Sequence, residues 1–184
     1  APQLNAGQRQ AAVTALRHSI SLISGGAGSG KTFTVSAITG VYEEQGLRVI
    51  LAAPTGKAAK RLEQVVGHQA GTIHRLLGFN GKDYARGPDD PIDADVIIVD
   101  EVSMVDVPLA WHVFQSIDLE RTAVVLVGDH NQLPPVGPGN LLRDLVQSRM
   151  VPTVLLDQVV RQAGILKENS IAVLNGEVRK TSDA

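Results

Sequence analysis

The sequence predicts an α/β fold with a parallel, doubly wound sheet, and two observations carry that reading. Short runs rich in branched aliphatic residues recur along the 184 residues, and stretches with helical spacing lie between them. Apolar runs bounded by turn signals read as strands buried on both faces. Their alternation with helices at this spacing means a parallel sheet covered by helices on both faces. A ligand of such a sheet sits at the carboxyl ends of the strands.

The elements follow in order. His18–Ser24 is the first strand, and Lys31–Gln45 the helix after it. Arg48–Ala53 is the second strand, followed by a helix over Gly56–Val66. Asn80–Ala94 carries Gly81, Gly87, Pro88 and Pro91 and reads as a surface excursion within one domain. Asp95–Val99 is the third strand. In Asp106–Ile117 the stripe Leu109, Val113, Phe114 and Ile117 gives a helix, with Asp106 as N-cap and Pro108 in its first turn. Thr122–Val127 is the fourth strand, Gly139–Ser148 a helix and Val151–Leu156 the fifth strand. There is no internal repeat and no low-complexity tract.

Composition narrows the function. Apolar residues make 43% of the chain and charged residues 20%, which excludes a disordered chain or a coiled coil. A chain of this length folds around one core that buries roughly 70% of the unfolded surface. The absence of cysteine excludes disulfides, thiolate zinc sites and cysteine nucleophiles, and fits a cytoplasmic location. No apolar run approaches the ~20 residues of a membrane span, and Ala1–Gln10 lacks the pattern of a signal peptide. The start at Ala1 rather than Met fits a processed or excised piece. With 17 basic and 19 acidic residues the net charge is -2, so any contact with nucleic acid must be a local patch.

Gly25-Gly26-Ala27-Gly28-Ser29-Gly30-Lys31-Thr32 matches the phosphate-loop pattern, between a strand and a helix as its mechanism requires. Glycines let consecutive backbone N–H groups point at phosphate oxygens, and the helix N-terminus adds positive potential. Gly26, Ala27, Gly28, Ser29, Gly30, Lys31 and Thr32 are the candidate nucleotide ligands, with Lys31 on the β- and γ-phosphates and Thr32 on Mg²⁺. Val96–Val99 leads into Asp100 and Glu101. Asp100 suits a hard cation, and Glu101 is placed to activate a water for attack on the γ-phosphate.

Further segments narrow the group. They are Ala53-Pro54-Thr55-Gly56-Lys57-Ala58-Ala59-Lys60-Arg61-Leu62, Thr72-Ile73-His74-Arg75-Leu76-Leu77-Gly78, Gly128-Asp129-His130-Asn131-Gln132-Leu133-Pro134-Pro135-Val136, and Gln158-Val159-Val160-Arg161-Gln162. In this order around this phosphate loop, the chain resembles the RecD-like group of superfamily 1 DNA helicases over about residues 3–162. Leu4-Asn5 and Gln8 resemble the adenine-contacting glutamine motif of that group. The resemblance implies a RecA-like, three-layer P-loop NTPase domain that uses ATP and Mg²⁺. It further implies Gln132 and Arg161 as γ-phosphate readers, and Thr55, Thr72 and His74 as contacts to single-stranded DNA. Lys57, Lys60 and Arg61 fall at i, i+3 and i+4, so on a helix they share a face that can hold strand phosphates. The remaining histidines, His18, His68, His112 and His130, show no metal-ligand spacing. Aromatic residues are 3% of the chain, so base-specific stacking is not expected.

The resemblance also implies a division at residue 162. Residues 1–162 read as the first motor domain, and residues 163–184 as a short helix stopped at Gly176 and a polar tail. The second RecA-like domain, which completes the ATP cleft in this group, finds no match in those residues, and Arg179 lacks motif context. The intact enzyme is expected to move 5′-to-3′ on single-stranded DNA. The piece alone is expected to bind ATP, turn it over slowly and not unwind. A non-catalytic nucleotide-dependent binding module is the alternative. Whether an exonuclease-type or repair assembly is involved is left open by the residues.

Overall fold

The computed structural model describes residues 4–156. Helix α1 (Ala6–Arg17) precedes strand β1 (Ile20–Gly25) and helix α2 (Lys31–Glu44). Then come β2 (Val49–Ala53), α3 (Gly56–Val66), β3 (Ala70–Thr72) and the single turn α4 (Ile73–Leu76). After a long connection follow β4 (Val96–Val99), a 3₁₀ turn at Val102–Met104 and α5 (Val107–Gln115). The described chain closes with β5 (Ala123–Gly128), α6 (Leu141–Ser148) and β6 (Thr153–Leu156).

All strands run parallel in one sheet of order β3-β2-β4-β5-β1-β6. The period of two along each strand sorts side chains between two layers of helices. Leu22, Ile97, Val99, Val124 and Leu126 pack with Ala110 and Val113 of α5 and Leu142 of α6. Their alternates Ile23, Ile98, Val125 and Val127 pack with Ala11 and Ala15 of α1, Val35 and Ile38 of α2 and Leu62 of α3. This is the three-layer arrangement that strands apolar on both faces demand. Every aliphatic run in the sequence becomes a strand.

The helix ends follow their local chemistry. Asp106 caps α5 by accepting from Leu109 N at 2.9 Å, and Pro108 sits in the first turn where no N–H is needed. Asn140 caps α6 by accepting from Arg143 N at 3.0 Å. Elements the aliphatic pattern does not mark are α1, β3 and α4. The buried positions of α1 are Gln8, Ala11, Thr14 and Ala15, too small or polar to make an apolar stripe. The edge strand β3 is only Ala-Gly-Thr, and none of its residues is fully buried.

The Asn80–Ala94 excursion is tied at both ends. Ala85 N and Arg86 N each donate to Leu77 O at 3.1 Å, and Ile92 N donates to Ser116 O at 2.7 Å. Ile92 and Ala94 are buried in the sheet's α5 side. It is a surface segment of one domain, as its composition suggests.

Candidate nucleotide pocket and strand groove

The loop after β1 turns on glycines at positive φ. Gly28 has φ 80° and Gly30 φ 86°, a region closed to most L-residues. Gly25 is required for a different reason: a Cβ there would lie 2.6 Å from both Leu156 O and Ser29 Oγ. Gly30 is also the N-cap of α2 and brings no capping side chain. The first-turn N–H groups thus keep no side-chain partner at the cap, and the α2 macrodipole faces the loop. Lys31 Nζ donates to Gly25 O, and to Gly26 O at 3.1 Å, which holds the ammonium along the loop.

One pocket joins this loop to β4 and to the segment after β5. Ala27, Gly28, Gly30, Lys31 and Thr32 border it, together with Asp100, Glu101 and Gln132. Asp100 is 8% exposed, and its Oδ1 accepts from Glu101 N at 2.8 Å. Burial pushes its carboxyl up to about 6, with the neighbouring Glu101 carboxylate adding to the rise. The Glu101 N–H bond and the charges of Lys31 and Arg61 work against that rise. Glu101 holds φ 54°, a left-handed conformation rare for a residue with a Cβ. Its Oε2 is buried, with no hydrogen-bond partner among the described residues.

These donors suit a magnesium nucleotide. Thr32 and Asp100 offer oxygen to a hard cation, and the orphaned Glu101 oxygen suits a bound water. Among the described residues no cluster of three or more His, Cys, Asp or Glu forms a cage for a metal. A cation between Thr32 and Asp100 would complete its shell with phosphate oxygens and water, as Mg²⁺ does.

The segment after β5 forms a wall shared by two sites. Gln132 borders the nucleotide pocket, its Oε1 accepts from Ser103 Oγ at 3.1 Å, and it also borders a groove of about 890 Å³. Thr55, His74, Tyr84, His112, Pro134 and Pro135 line that groove. Thr55 and Thr72 are N-caps, of α3 and α4, accepting from Ala58 N and Arg75 N at 3.2 Å. Each hydroxyl keeps its proton for an outside acceptor. His74, Phe79, Tyr84 and His112 form a chain of ring contacts that ends on Trp111, itself 58% exposed. Half of the six aromatic residues of the chain thus gather beside one groove, a concentration that the 3% average hides.

The structure adds detail at two of the predicted residues. Arg61, exposed like Lys57 and Lys60, also borders the nucleotide pocket with Ala58 and Leu62, whereas the two lysines do not. A helix turns 100° per residue, so residue 61 stands between the face of residue 57 and that of residue 58. Gln8 is buried, and its Oε1 accepts from Asn5 N at 3.0 Å in a capping box that starts α1. Its Nε2 donates to Gly30 O at 3.5 Å, so it touches the end of the loop. Arg161 and residues 163–184 lie outside the described residues.

Contacts missed in the sequence bind distant segments. His130 Nδ1 and Ser24 Oγ lie 2.7 Å apart, and His130 N donates to the same hydroxyl at 3.2 Å. The segment after β5 is thereby tied to the strand that leads into the phosphate loop. His68 lies 2.6 Å from Glu43 Oε1 and 3.0 Å from Val49 O. His112 stacks on Tyr84.

A phosphate loop at the end of a parallel strand, and an acidic pair at the end of another, define the class: an α/β P-loop NTPase domain with helices on both faces. Comparison with known proteins refines it. The model of the AAA domain family matches residues 3–184. The ATP-dependent RecD2 DNA helicase of Deinococcus radiodurans is 43% identical over 146 residues, covering 79% of this chain and 20% of the relative. The RecBCD enzyme subunit RecD of Haemophilus influenzae is 36% identical over 166 residues, covering 76% of this chain and 26% of that protein. The fold is similar to that of Pif1 helicase from Candida albicans, with a TM-score of 0.69 at 22% identity, over 97% of this chain and 46% of that one. The chain belongs to the AAA domain family, is similar in sequence to RecD-type helicases over one RecA-like domain, and spans about a fifth to a quarter of these relatives' length. No helix of the described residues is long and apolar enough to cross a membrane.

Proposed function

We propose that the chain is the ATP-binding and ATP-hydrolysing motor domain of a RecD-like DNA helicase. The observation that carries the reading is the pocket itself, where Lys31 and Thr32, the acidic pair Asp100–Glu101 and Gln132 converge. The loop amides and Lys31 hold the phosphates, while Thr32 and Asp100 hold Mg²⁺. The cation, when bound, neutralises charge on the phosphoryl oxygens. Glu101 takes a proton from, or orients, the attacking water through its unpartnered carboxylate oxygen. Gln132 donates and accepts at the γ-phosphate, and Arg161 adds a cation there, a contribution that reaches about 10³–10⁵ in rate in other phosphoryl-transfer enzymes.

The groove beside Gln132 takes the single strand. Thr55 and His74, which line it, contact its backbone, and Thr72 at the cap of α4 and the exposed Lys57 and Lys60 of α3 add further contacts outside the groove lining. A Bacteroides Pif1 of similar fold has been solved bound to single-stranded DNA, with a TM-score of 0.63 at 23% identity. In a protein of its relatives' length this domain works with a second RecA-like domain, moves 5′-to-3′ and serves DNA repair or recombination. An exonuclease-type assembly is its partner class, a reading supported by relatives that are RecD subunits of RecBCD enzymes.

The test is Glu101→Gln. The variant keeps ATP affinity and loses turnover, measured by nucleotide binding and by phosphate release. An unchanged hydrolysis rate overturns the assignment of Glu101, and absence of hydrolysis in the unsubstituted protein with DNA and its second domain supports a non-catalytic binding module instead.

A further inference from the structure

We infer that Arg61 binds the terminal phosphate of the nucleotide, which makes α3 a second phosphate-binding element of the pocket; the inference rests on the ATP reading of that pocket. Spacing in the sequence groups Arg61 with Lys57 and Lys60 as one basic face. The structure divides them: Ala58, Arg61 and Leu62 border the pocket, and the two lysines do not.

Charge and geometry both suit the role. The ionisable side chains bordering the pocket are Lys31, Arg61, Asp100 and Glu101, two cations against two carboxylates. Without Arg61 the lining would be net negative, against a polyanionic ligand. Arg61 is exposed and, among the described residues, joins none of the ion pairs, although two carboxylates border the same pocket. Its planar guanidinium can place two parallel N–H donors on one phosphate, which the point charge of Lys31 cannot. The loop amides cradle the inner phosphates. A cation delivered by a different element, on the border shared with Glu101 and Gln132, is left with the outermost one.

The placement has a mechanical side. Thr55, which caps α3, borders the strand groove, while Arg61 borders the nucleotide pocket. A single rigid helix therefore touches both sites. A pull on Arg61 by the terminal phosphate reaches Thr55 without any intervening loop.

The experiment compares binding of fluorescent ATP and ADP analogues to the 184-residue chain and to Arg61→Ala, Arg61→Lys and, at an exposed lysine of the Asn80–Ala94 excursion, Lys82→Ala, alongside single-strand affinity without nucleotide. The unsubstituted chain binds both analogues. Arg61→Ala weakens the ATP analogue about ten-fold or more, the scale of losing a hydrogen-bonded charge, and spares the ADP analogue. Arg61→Lys recovers part of the loss, and Lys82→Ala changes neither nucleotide affinity. Unchanged nucleotide affinity in Arg61→Ala, with weakened strand binding, overturns the inference and returns Arg61 to the DNA face. An equal loss for both analogues overturns the terminal-phosphate assignment. Failure of the unsubstituted chain to bind either analogue overturns the ATP reading as well, so the two failures are distinguishable.

Discussion

At Asp100 a carboxyl group is kept out of water so that a cation can claim it. Its pKa is raised from the usual 3.8 to about 6 by burial, so without metal the folded state holds a proton that the unfolded chain has released. Stability from this group is then present below about pH 4 and declines as pH rises through about 6, by on the order of 3 kcal/mol. Asp100→Asn removes that decline. In metal-free thermal melts, the gain in Tm of the variant over the parent should grow between about pH 4 and pH 7 and then level. A gain that does not change with pH would contradict the shift. The backbone strain at Glu101, with φ 54°, stands next to it. Strain of this kind persists where the surroundings fix a group for a task, here aiming a carboxylate into the pocket.

At the scale of elements, the proposed strand contact gives Thr55 of α3 a second duty beside its cap, and substitution can separate the two. Thr55→Ala removes the cap and is expected to cost about 1 kcal/mol, seen as a lower denaturation midpoint, and also to weaken single-strand binding. Thr55→Asn restores the cap, because an amide oxygen accepts as well as a hydroxyl, but brings no hydroxyl to the strand. Recovery of stability without recovery of strand affinity is the expected result. The same scale shows what the sequence discloses. Strands such as Val96–Val99 and the α5 stripe are legible because burial on a periodic face writes itself into local spacing. The phosphate loop and Asp100–Glu101 are legible because neighbouring residues alone determine their chemistry. Helix α1 escapes because small and polar residues fill its buried side. The pair Ser24–His130, the bond from Ser103 to Gln132 and the turn of Arg61 into the pocket escape for another reason. Each depends on which strands or helices become neighbours, and no local pattern records that.

At the scale of the whole molecule, the sheet holds the phosphate loop and the acidic pair at the ends of β1 and β4, with β5 between those strands. The described residues form one wall of the proposed ATP cleft, and a transition state for hydrolysis draws on cations from beyond one wall. These residues alone are expected to hydrolyse ATP slowly and with little response to single-stranded DNA. Joining a second RecA-like domain should raise the DNA-stimulated rate, measured as phosphate release. Robust stimulation of the 184-residue chain by itself would refute this. The order of the sheet also sets a timetable for synthesis. Ile20 of β1 pairs with Val124, and Leu22 with Thr153, so the strand that carries the phosphate loop is made early and must wait for both of its flanking partners. Pairing across such long stretches is slow, and meanwhile the nascent loop has no frame to hold its shape. Ribosome-bound chains ending before Gly128 should fail to retain nucleotide, and capture should begin only once β5, and then β6, has emerged.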